Sequence, residues 1–186
     1  MNKLNFLKQA RSLLFSVTSI TILAGCTGTD ANTSKKPTPL SDANIAAIVV
    51  GANKIDISAA DIALQRSKNP EVRKFAQRMK TDHNAVLNSA VKLVTRLGVT
   101  PVNNDLVATL SKQSQDHEAK LMTLSGKAFD KSYIDHEVAY HKAVISVIED
   151  QLIPAASNQE LKDTLVSVVP AFKAHLKHCE MIQSQI

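Results

Sequence analysis

Four of the six histidines in this chain, His83, His117, His141 and His175, stand where a helix would bury its side chains. Plotted at 100° per residue, His141 falls in the middle of an apolar face made by Ile134, Val138, Ile145, Ile148 and Leu152, with Asp130 and Glu137 beside it. His83 is at the centre of a second stripe, His175 lies within a third, and Asp56 sits at the edge of a fourth. Glu137 and His141 are spaced i, i+4 and can share a face. Carboxylates and imidazoles converging from facing helices are what a bundle needs to hold a buried metal, iron or zinc for this ligand set. A structural role suits the same residues better. Buried histidines then bond to carboxylates or carbonyls and fix helix register, because an unpaired buried polar group costs roughly a few kcal/mol. The structural role, with no cofactor, is the first expectation. A metal site built from Asp56, His83, Glu137, His141 and His175 is the alternative.

Other chemistry-bearing residues carry less. The run His136 to His141 lacks the histidine that a zinc-protease helix motif requires at Tyr140, and His136 points away from His141. His175 and His178 could pair at one helix end, but a solvated rim position suits His178 better. Cys179 lies on an apolar stripe and reads as a small buried hydrophobe. No glycine-rich phosphate loop or nucleophile elbow is present in the sequence, so no catalytic residues are assigned and an enzyme is not the first expectation.

The elements that must position these groups are helices. The first starts at a Ser41-Asp42 cap, carries Ile45, Ile48, Val49, Ala52, Ile55, Ala59, Ile62 and Ala63, and ends near Ser67, since Asn69-Pro70 disfavours helical geometry. Pro70 opens the second, whose stripe is Val72, Phe75, Ala76, Met79, Val86, Leu87, Ala90, Val94 and Leu97, with Gly98 and Pro101 as stops. A shorter helix covers Asp105 to Leu124, with a thin stripe of Leu106, Leu110, Leu121 and Leu124 around His117, closed by Ser125-Gly126. The helix bearing His141 runs from Phe129 to Leu152, where Ile153-Pro154 breaks it. The last runs from Asn158 to Ser184 on Leu161, Leu165, Val168, Phe172, Cys179 and Ile182, with Pro170 expected to kink it. No stretch alternates with a two-residue period, so the expected architecture is an all-α antiparallel bundle of four long helices and one shorter helix.

The amino terminus reads differently. Lys3, Lys8 and Arg11 precede a short apolar run, Ser12 to Leu23, that falls short of the ~20 residues a membrane span needs. Leu23-Ala24-Gly25-Cys26 then resembles the bacterial lipobox, which implies cleavage before Cys26 and lipid on that cysteine. Residues 1–25 are thus expected to be a lipoprotein signal peptide, 26–41 a lipidated cysteine and flexible tether rich in polar residues with two prolines, and 42–184 the bundle. Each buried CH₂ of an acyl chain contributes ~0.8 kcal/mol, so several chains make a stable membrane anchor. Thr27, rather than Asp, after the cysteine favours the outer membrane, facing the periplasm.

Composition narrows the partners. Without Lys3, Lys8 and Arg11 the chain has 19 basic against 17 acidic residues, a mixed surface with no nucleic-acid footprint. There is no Trp and aromatics are 4%, so the core is aliphatic and no stacking platform for single strands is expected.

Three groups of residues resemble the bacterial envelope proteins of the family DUF4142. They are Ile62-Ala63-Leu64, Asn69 to Arg73, Phe75-Ala76, Met79 and Asp82-His83; then Leu124-Ser125-Gly126, Phe129-Asp130, Tyr133 to Asp135 and His141; then Pro170 with His175-Leu176. The resemblance covers residues 42–182 and implies a ferritin-like bundle, often exported or lipid-anchored, of no established activity. The family usually has Glu where this chain has the shorter Asp56. The Glu-x-x-His pattern of ferritin-like di-iron sites is missing, because Lys80, Val138 and Phe172 stand three residues before His83, His141 and His175. The expectation is therefore a lipid-anchored envelope protein, at the membrane through Cys26, with a non-enzymatic binding or structural role toward an unknown protein or small molecule. A metal-binding or oxidoreductase bundle is the alternative.

Overall fold

A computed structural model describes residues 39–186; the expected signal peptide, Cys26 and nearly all of the expected tether lie outside the described residues. Every described element is helical: α1 Asp42–Arg66, α2 Pro70–Arg96, α3 Asp105–Thr123, α4 Gly126–Val147, a π-helical turn Ile148–Leu152, the three-residue α5 Ile153–Ala155, and α6 Gln159–Gln183. The expected all-α bundle, four long helices and a shorter one, is what forms. α1 packs along α2, α4 along α6, and α2 against α6 closes the four, with α3 laid on the outside of α1.

Local chemistry sets the boundaries. Ser41 and Asn44 form a reciprocal capping box at the start of α1. Asp42, in the first turn, accepts the amides of Ser157 and Asn158 at 2.9 and 3.0 Å and so ties the start of α1 to the start of α6. Asn69 caps α2, with Pro70 in its first turn. Gly98 takes φ +65°, a left-handed conformation suited to the end of α2. Ser125-Gly126 belongs to the start of α4, with Gly126 at φ +56°, and not to the close of α3. The helix bearing His141 does not break at Pro154. It passes through the π turn first and ends at Ala155. α6 runs on through Pro170 as one helix.

The aliphatic interior has two parts. One gathers Ile45, Ile48, Leu93, Val144, Leu152 and Leu165. The other gathers Val72, Phe75, Met79, Phe129, Tyr133 and Ile134. The α2 phase shifts from the wheel reading: Leu93 is buried, whereas Val86, Leu87 and Leu97 are half-buried. In α3 only Ser114 and Leu121 are buried, so His117 stays at the rim. α1 is covered by α2, α3 and α4, which is why Ala46, Ala47, Asn53, Asp56 and Ala60 are buried beyond its single expected stripe.

Candidate metal centre

The five sequence candidates meet in one place. Asp56 on α1, His83 on α2, Glu137 and His141 on α4, and His175 on α6 are each at most 2% exposed. His83, His141 and His175 bring ring nitrogens within 4.8 Å of one another, and so do the ligand atoms of Asp56, Glu137 and His141. The ring centroids of His83, His141 and His175 lie 5.4 to 5.8 Å apart. Asp56 Oδ2 is 3.3 Å from His83 Nε2 and 3.9 Å from His141 Nε2. Asp130, expected beside His141, lies three turns away and accepts a hydrogen bond from Ser67 Oγ at 2.5 Å.

The outward partners fix which nitrogen of each ring is protonated. His141 Nδ1 is 2.9 Å from the Glu137 carbonyl, which only accepts, so Nδ1 carries the proton. His175 Nε2 donates in the same way to Asp82 Oδ2 at 2.8 Å. His83 Nδ1 meets Asn53 Oδ1 at 2.9 Å; the amide orientation is set because Asn53 Nδ2 donates to the Val49 carbonyl at 2.8 Å. Each ring is thus left with one lone pair. Those nitrogens, His83 Nε2, His141 Nε2 and His175 Nδ1, are buried with no hydrogen-bonding partner, as are both oxygens of Asp56 and Glu137 Oε2. Asp56 and His83 are close but not aligned for a bond.

Electrostatics agree with this assignment. Burial pushes His83 and His175 down to about 4, and lowers His141 as well, so all three are neutral near pH 7. Burial, and then the neighbouring Asp56 charge, hold Glu137 well above the usual carboxylate range; burial also raises Asp56. Two carboxylates in one dry site cannot both ionise without a nearby cation. Tyr133, one turn before Glu137, places its buried hydroxyl beside that carboxylate.

These shifts give a pH prediction for the metal-free protein. His83 and His175 bind protons more weakly folded, near 4, than unfolded, near 6.5. Stability is then full above pH ~6.5 and falls as pH drops toward 4. The raised carboxylates act oppositely, contributing below their unfolded values and losing stability as pH rises through the folded ones. In the Asp56→Asn, Glu137→Gln variant, which removes the carboxylate contribution, chemical denaturation should show lower stability at pH 4.5 than at pH 7; equal values there would show that the histidines are not desolvated.

Asn53, Asp82 and Tyr133 were missed by sequence reading. Asn53 stands three residues before Asp56 and so shares its face, and Tyr133 stands four before Glu137, which are the signals that could have found them. Asp82 adjoins His83 in sequence but serves the histidine of another helix, which periodicity does not reveal.

These features define a class: an all-α bundle whose four long helices each send a metal-capable side chain into one buried cluster. The chain belongs to the family described as Domain of unknown function (DUF4142), which it matches over residues 27–182. No curated protein matches it in sequence. Among solved structures it is similar to a DUF305 fragment from Deinococcus radiodurans, with a TM-score of 0.68 and 14% identity over 80% of this chain and 100% of that one. It is also similar to CopM in the Cu(II)-bound form, with a TM-score of 0.60 and 18% identity over 78% of this chain and 98% of that one. At such identities the likeness is one of fold.

Proposed function

We propose that this protein binds a divalent first-row transition metal ion inside its bundle, through His83, His141, His175 and Asp56, with Glu137 as a further oxygen ligand. One observation carries the reading: three neutral histidines each donate outward to a fixed oxygen and turn a lone pair inward, toward unpartnered carboxylate oxygens. That is how metal-ligating histidines are held, the outer hydrogen bond setting tautomer and ring orientation. Histidines that served only to fix register would have both nitrogens satisfied. Ligand atoms around a tetrahedral ion are roughly 3.3 Å apart for bonds near 2.0–2.1 Å, so the present spacing closes on an ion with small side-chain movements. The mixed nitrogen and oxygen set suits zinc, iron or copper. CopM was solved with Cu(II), which makes copper the first ion to test. The purified protein should carry stoichiometric metal, and a chelator should lower its melting temperature. A metal-free preparation that takes up none of these ions would reject the reading.

The bundle works at the membrane on an acylated Cys26, in the periplasm and at the outer membrane. Leu23-Ala24-Gly25-Cys26 after a basic, then apolar, segment supports this. None of the described helices is long and apolar enough to cross a membrane. The native chain should label with radioactive palmitate and sediment with membranes, and Cys26→Ala should abolish both. Labelling that persists in that variant would remove the anchor.

A further inference from the structure

The five side chains of the centre are each at most 2% exposed, so an ion reaches them only if one of them moves. The outward partners show which one moves most easily. His83 is bonded to Asn53, which is itself buried, held by the Val49 carbonyl, and set inside the α1–α2 interface. His141 is bonded to the Glu137 carbonyl of its own helix, and its ring packs against those of His83, Phe172 and His175, with centroids 5.6 to 6.0 Å away. His175 differs. Its Nε2 donates at 2.8 Å to Asp82, whose side chain is 39% exposed. One imidazole therefore spans from the cluster, where its Nδ1 is buried without a partner, to a carboxylate in contact with water.

The surroundings of Asp82 are suited to opening. Its second partner is Arg78, which donates from Nε at 3.3 Å across one turn of α2. Exposed i, i+4 pairs of this kind are weak and exchange readily with solvent. α2 also packs less extensively on α6 than on α1, so the seam between Asp82 and His175 is lightly held. The surface beside it is basic, with Lys74, Arg78, Lys177 and His178 around one shallow pocket. That surface repels a cation, so a carboxylate placed there decides whether a cation approaches.

We propose that metal enters the centre between α2 and α6, captured first by the Asp82 carboxylate, with His175 as the ligand that swings to admit it and Arg78 as the cation that holds Asp82 beforehand. The route rests on the metal reading, and the test separates the two. Metal-free full-length protein is mixed rapidly with Cu(II), and association and dissociation rates are read from the absorbance of the bound ion. Asp82→Asn removes the charge but keeps an oxygen that accepts from His175, so the ring stays oriented. It should slow association roughly tenfold or more, with a smaller change in dissociation. Arg78→Gln should speed association roughly severalfold. Asp61, 41% exposed and paired with Lys80 on the α1–α2 side, is the matched control, and Asp61→Asn should associate near the parent rate. A parent that loads no Cu(II) at equilibrium removes the copper centre and this route with it. A parent that loads Cu(II) while Asp82→Asn slows no more than Asp61→Asn overturns the route alone. So does an effect of Asp82→Asn confined to dissociation, which is what a partner that only orients His175 would give. If Asp82→Asn does not fold, an Arg78→Gln association rate at or below that of the parent overturns the route.

Discussion

His141→Ala is expected to abolish stoichiometric metal binding, from about one ion per chain to none, with His83→Ala weakening it because the Asp56, Glu137 and His141 group remains. The loss should exceed the 10–100-fold drop in affinity typical of removing only an outer-shell partner. His141 is the residue common to both groups of converging ligand atoms, so no alternative set survives without it. Glu137→Gln separates a ligand from a structural group. Without metal, burial and then the neighbouring Asp56 charge favour the protonated form of Glu137, which Gln matches in shape and charge. The metal-free variant should therefore melt near the parent at pH 7. The stabilisation that added metal gives the parent should shrink in the variant, because an amide is a poorer ligand than a carboxylate. Metal analysis and melting curves with and without the ion read both effects. If His141→Ala keeps its metal, the assigned centre is wrong.

Phe75→Ala is expected to destabilise the bundle by about 3–5 kcal/mol. Phe75 is fully buried between α2, α4 and α6, with its ring edge-on to Tyr133 at 6.3 Å and to His178 at 5.3 Å. For a domain of this size each kcal/mol moves the melting temperature by about 2–4 °C, so the shift is about 6–20 °C. Leu87→Ala is the control. Leu87 lies on the same helix and was read as core from the sequence, but it is half-buried. Its truncation should cost under about 1.5 kcal/mol, because less apolar surface is lost and no closed cavity forms. Equal melting shifts for the two variants would contradict the burial pattern.

The contrast between Phe75 and Leu87 shows what was legible. An apolar stripe of period 3.6 identifies a buried face, and a histidine at its centre is conspicuous because burying it needs a reason. His83, His141 and His175 could therefore be placed before any coordinates, with Asp56 and Glu137 near them. A wheel loses phase along a helix as long as α2, and it assumes one buried face, which α1 does not have. Asn53 reads as a surface residue until α2 is known to bring His83 against it. The direction of each imidazole proton depends on acceptors from other turns and helices. The apolar gap lined by Ala46, Ala52 and Ala90 could not be read at all, because a gap depends on which small residues of different helices meet. The π turn leaves no mark in hydrophobic period.

The cluster draws one side chain from each of α1, α2 and α6 and two from α4, at points far apart in the sequence. An ion held there closes several long loops at once and acts as a reversible cross-link on the unfolded chain, with the entropic leverage that long loops provide. It also lies where the two aliphatic regions of the interior meet. Without it, each region can open as a separate unit, with amide exchange faster at the weaker end. With it, local opening at either end must break shared ligand bonds, so exchange across the four long helices should slow together.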